Sequence, residues 1–141
     1  MAHDLDRFVT AQDAGGTYAK ALAELRAGRK RTHWMWFVFP QLAGLGHSEM
    51  AQRYAIRGEG EARAYLAHPV LGDRLIECAS AVLDSGAASA RELMGPPDDL
   101  KLRSSMTLFA RQPDADPVFA AVLERYFDGR DDAMTVQMLG G

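Results

Sequence analysis

Arg29, Lys30 and Arg31 stand directly ahead of His33, Trp34 and Trp36 in the stretch RKRTHWMWFVFPQLAGLGHS, which runs on into a glycine-rich turn carrying His47. These residue types supply three kinds of chemistry. Guanidinium and ammonium groups hold phosphate, indole faces stack on a flat ring, and imidazoles that titrate near neutrality move protons. The turn adds backbone amides. Gly44 and Gly46 let a ligand approach the main chain, and Ser48 is placed to cap a helix whose first N–H groups favour an anion. Arg29 and Lys30, with the Gly44–Ser48 amides, are therefore candidates for a phosphate. Trp34, Trp36 and Gln41 are candidates for the rest of a ring-containing small molecule. His33, His47 and Glu49 are the candidate catalytic groups, although Glu49 repels an anion unless it points away.

Packing competes for the same residues. Burial tendencies place tryptophan in the core first and in a pocket wall second. Each buried indole N–H needs an acceptor, which His33, Gln41 or a backbone carbonyl can supply. The Gly-x-Gly turn is equally an ordinary loop beside an exposed basic corner. His68 precedes Pro69 and reads as a turn residue, and His3 falls in a terminal segment. No His-x-x-x-His or Cys/His cluster occurs, so neither a metal nor another cofactor is expected. Lys101 and Ser105 lie four apart on a helix, yet a Ser–Lys nucleophile pair runs in the opposite order. Their segment reads as a solvated face, or as a hydrogen-bonded supporting layer, opposite Leu102, Met106 and Phe109.

The elements that position these groups are helical. Leu5, Phe8, Val9 and Gln12 mark a first helix, and Tyr18, Leu22 and Leu25 a second, closed by Gly28. Thr32 is expected to cap a two-turn helix through Phe39, stopped by Pro40; a buried strand is the competing reading of that apolar run. Leu71, Leu75, Cys78, Ala79 and Val82 form a stripe between Pro69 and Gly86, which places Cys78 in the core. Pro96 and Pro97 open a further helix with Asp98 and Asp99 in its first turn. Val118, Val122, Leu123 and Tyr126 mark another, and Met134 to Leu139 a short last one. Alternating strand patterns are scarce. The expected fold is all-α, with several short helices around one core in a single domain spanning residues 1–141.

Composition bounds the function. A chain of 141 residues with 48% hydrophobic and 25% charged residues is long enough to bury a core without staples. A formal charge of -3 argues against a large nucleic-acid surface but leaves room for a local anion site. The single cysteine fits a reducing compartment. The start, MAHDLDRF, carries acids where a signal peptide needs basic and then apolar residues. The apolar run Trp34 to Phe39 is too short for a membrane span. A cytoplasmic protein is expected.

The segments LDRFVTAQ, LAELRAGRKRTHWMWFVFPQLAGLGHSEMAQRYAI, EARAYLAHPVLGDRL and DDLKLRSSMTLF resemble, in order and over nearly the whole chain, a bacterial and fungal family of unknown function. Some of its members carry the label calpastatin, a name that nothing in this compact sequence supports. The resemblance implies a mainly helical single domain and carries no catalytic residues. HSEMAQRYAI with the segment after it is also faintly similar to helical N-glycosidases acting on ADP-ribose and phosphorylated riboflavin intermediates. In register, their catalytic glutamate falls on Gly46, so only a different local structure would bring Glu49 into that role. Three readings follow: a protein binding a phosphorylated, ring-containing small molecule, a protein or nucleic-acid interaction module, and an N-glycosidase.

Overall fold

The helical spacing near the N-terminus becomes α1 (Asp6–Asp13), in a computed structural model that describes residues 4–140. His3 lies outside the described residues. A single 3-10 turn, Ala14–Gly16, reverses the chain into α2 (Thr17–Arg26). Gly15 and Gly16 there have φ of 61° and 69°, left-handed backbone that is free of strain without a Cβ. The chain continues through α3 (Met35–Val38), α4 (Glu49–Arg53), α5 (Glu59–Ala67), α6 (Leu71–Asp84) and α7 (Ala90–Met94). It ends with α8 (Asp98–Ala110), α9 (Pro117–Phe127) and α10 (Ala133–Met138). Among the described residues, β pairing is confined to one parallel bridge between Leu42 and Ile56. The protein is all-α. No helix among the described residues is long and apolar enough to cross a membrane.

α6 packs against α2, α5 and α9, and α8 packs against α7, α9 and α10. Every member of the α6 stripe, from Leu71 to Val82, is buried. Cys78 lies within it, and burial is the main force pushing its thiol up to about 12. It therefore stays protonated at neutral pH and acts as a small apolar side chain. α5 and α6 cross so closely that a Cβ on Gly72 would stand 2.1 Å from the Leu66 carbonyl oxygen. Only glycine fits there.

One local expectation is corrected. Thr32 does not cap the helix of the apolar run, which starts at Met35 with Trp34 in the cap position. The Thr32 hydroxyl instead donates to Glu24 at 2.6 Å. Of the two readings of the polar side of α8, the hydrogen-bonded layer holds at Ser104 and Thr107, and Ser104, Ser105 and Thr107 are buried. Ser104 meets Thr135 of α10 at 3.1 Å, and the Thr107 hydroxyl donates to the Arg103 carbonyl and accepts from the Asp132 N–H. The last helix covers what the α8 pattern alone shows as an outer face.

Candidate functional site

The basic stretch is shaped by Glu24, near the end of α2. Its carboxylate accepts from the Arg31 and Thr32 amides at 2.7 and 3.0 Å, from the Thr32 hydroxyl, and from the Trp34 indole at 2.9 Å. Burial alone would raise its pKa, but the Thr32 hydroxyl, the two amides and the indole outweigh it and hold Glu24 at about 2, against an ordinary 4.5. A carboxyl depressed by folding stabilises the fold above its unfolded value, and that contribution disappears as pH falls from about 4.5 towards 2. Charge-assisted hydrogen bonds of this kind contribute about 1.5–3 kcal/mol. Glu24→Gln is thus expected to lower neutral-pH stability by about 2 kcal/mol. Urea titrations at several pH values would show the gap to wild type closing below pH 4.5; a gap that persists at low pH would contradict this account.

Lys30 follows from the same loop. Its amide donates to the Leu93 carbonyl of α7 at 2.7 Å. Its Nζ lies 3.0 Å from an Asp98 oxygen at the start of α8, with its side chain 6% exposed. The same ammonium stands 4.8 Å from the centre of the Trp34 ring. Asp98 also meets Lys101 at 3.6 Å, and Lys101 stands 6.0 Å from the Trp36 ring centre. A Lys–Asp–Lys chain thus joins the two tryptophans. They differ in access: Trp34 is fully buried, whereas Trp36 is half-buried.

Gly28, Arg29 and Lys30 face residues 91–95 across a cleft of about 460 Å³. Arg29 and Arg91 are both exposed, and no side-chain hydrogen bond or ion pair engages either among the described residues. Glu92 sits on the same cleft. Arg91 escaped the sequence reading because nothing local marks it; the fold alone carries α7 to the α2–α3 connection.

The remaining candidates are dispersed. Gly44 and Gly46 line a separate hollow of about 220 Å³ with Gln52 and Arg57. Packing already explains both glycines. Gly44 has φ of 100°, and a Cβ there would stand 2.7 Å from the Met138 methyl; one on Gly46 would stand 2.5 Å from Ala51. Ser48 caps α4, its hydroxyl accepting from the Ala51 N–H at 3.1 Å. The Gln41 carbonyl accepts from the Ile56 N–H, and the His47 carbonyl from the Gln52 side-chain Nε2. His33, His47 and Glu49 are exposed, and none of them lines the cleft of Arg29 and Lys30. Among the described residues, no group of three His, Cys, Asp or Glu side chains is placed to hold a metal ion.

Fold and site together define an all-α protein with a basic cleft whose Lys30 also stands over the Trp34 ring. The chain belongs to the family described as Protein of unknown function (DUF1810), whose family model matches residues 2–139. It is similar to a solved structure, that of the conserved hypothetical protein Rv1873 from Mycobacterium tuberculosis. The likeness has a TM-score of 0.93 and 55% identity, over 98% of this chain and 97% of that one. No curated protein matches. Neither description names an activity, and a shared fold does not supply one.

Proposed function

We propose that the protein is a cytoplasmic binding protein for a phosphorylated, ring-containing small molecule, with the phosphate in the Arg29–Lys30–Arg91 cleft. One observation carries the reading: two exposed arginines from separate elements share a cleft of about 460 Å³ with Lys30. Guanidinium groups match phosphate oxygens in paired hydrogen bonds. Asp98 and the Thr32 carbonyl fix the Lys30 ammonium, so Lys30 supports the cleft while Arg29 and Arg91 do the holding. The ring would lie towards Trp36, the more accessible tryptophan, which the Lys30–Asp98–Lys101 chain links to the cleft. Binding is the whole of the proposal, since neither histidine lines this cleft.

The test is thermal unfolding with ADP-ribose, NAD, nucleotides and flavin phosphates. A ligand at a hundredfold its dissociation constant adds about 2.7 kcal/mol, which raises Tm by roughly several degrees for a domain of this size. Arg29→Ala with Arg91→Ala should abolish the shift, and both positions are exposed, so folding should survive. Trp36→Ala should weaken it. A flat response across the panel sinks the reading, as does a shift that the double variant retains.

A further inference from the structure

A second hollow lies away from the basic cleft, between α5, α6 and the connection from α8 to α9. Its volume is about 470 Å³, within the roughly 300–1,000 Å³ common for small-molecule sites. Leu66 of α5, Ile76 of α6 and Phe119 of α9 give it an apolar lining, while Arg63, Asp114 and Asp116 add charges of both signs. Leu66 and Ile76 are half-buried, so apolar surface remains for a ligand to cover. Arg63 and Asp114 are exposed, and among the described residues no side-chain hydrogen bond or ion pair engages either. Asp116 gives one oxygen to the Val118 N–H, capping α9 at 2.8 Å, and keeps the other.

We propose that this hollow binds a small apolar molecule carrying both an ammonium and a carboxylate, in the manner of an apolar amino acid. The apolar side chain covers the accessible parts of Leu66 and Ile76. The carboxylate meets Arg63, and the ammonium meets Asp114 and the free oxygen of Asp116. Opposite charges at one apolar hollow select against molecules that carry one of them alone, because each unmatched group loses its partner and keeps its desolvation cost. The site shares no residue with the Arg29–Arg91 cleft, so it stands or falls independently of the phosphate reading.

The full chain would be titrated calorimetrically with L-leucine and L-phenylalanine, then with 3-methylbutylamine and 4-methylpentanoate as single-charge analogues. The amino acids are expected to bind, each analogue on the order of tenfold more weakly or worse. Asp114→Asn removes the charge yet suits the left-handed backbone at that position, φ 59°. It should weaken binding on the order of tenfold, as should Arg63→Gln. Arg29→Ala with Arg91→Ala should leave amino-acid binding unchanged. No binding of either amino acid at roughly millimolar concentration overturns the proposal. Analogues that bind as tightly overturn it too, as does indifference to both Asp114→Asn and Arg63→Gln.

Discussion

Trp34→Ala is expected to destabilise the fold by about 3–5 kcal/mol, read as a lower urea midpoint with an unchanged slope. Trp34 is fully buried, and it packs against Phe39 with ring centres 6.2 Å apart. Its removal leaves a cavity that close-packed neighbours fill only in part. It also takes a donor from Glu24 and the ring face from the nearly buried Lys30 ammonium. Several costs therefore fall on one substitution. Trp36→Ala, half-buried on the same short helix, should cost about 1 kcal/mol. The pair of measurements separates a tryptophan that holds the protein together from one left free to meet a ligand. Equal costs at the two positions would contradict that division.

The same contrast marks how far the sequence is legible. The stripe from Leu71 to Val82 recurs over a 14-residue helix, long enough for its period to be distinctive, and all of it is buried. Ser48 is likewise readable, since a cap acts on amides three residues away. Thr32 misleads because its hydroxyl has two possible partners, a local helix start and a carboxylate on a different helix. Glu24 wins, and it draws in the Arg31 amide and the Trp34 indole as well. Local pattern contains no record of that competition. α7 is harder again: its five residues give no period, although Ser89 caps it.

The site fails to be legible for a related reason. Arg29 and Lys30 attract notice because charge clusters in sequence, yet the third cation of their cleft, Arg91, comes from α7. Gly44 and Gly46 attract notice as a ligand-approach motif, yet Met138 and Ala51 crowd them. Gly-x-Gly records a need for small side chains, and a protein neighbour creates that need as readily as a phosphate. Ser104 looks like surface because polar type is a local property, whereas its contact with Thr135 of α10 is not. Contacts of high sequence separation decide which residues gather, and a single chain's pattern states only what each residue is able to do.

A nearly buried ion pair carries the other large expectation. Glu61 of α5 is 3% exposed and meets Arg7 of α1 at 2.9 Å; it also accepts from the Arg57 amide at 3.0 Å. Arg7 in turn donates to the Arg53 and Ala55 carbonyls at 2.9 and 2.8 Å, and its guanidinium lies 4.3 Å from the Phe8 ring centre. One charged pair therefore fixes α1, the α4–α5 connection and α5 to one another. Removing one partner strands the other charge in a desolvated place, so Glu61→Ala is expected to cost about 3–5 kcal/mol in urea unfolding. Arg7→Met with Glu61→Leu should recover much of that loss, because apolar side chains of similar volume carry no stranded charge. Hydrogen exchange should quicken at the Arg57 amide in Glu61→Ala while the α6 core keeps its protection. A cost below about 1 kcal/mol would mean that water reaches Arg7 once Glu61 is gone, which its 14% exposure in the intact fold argues against.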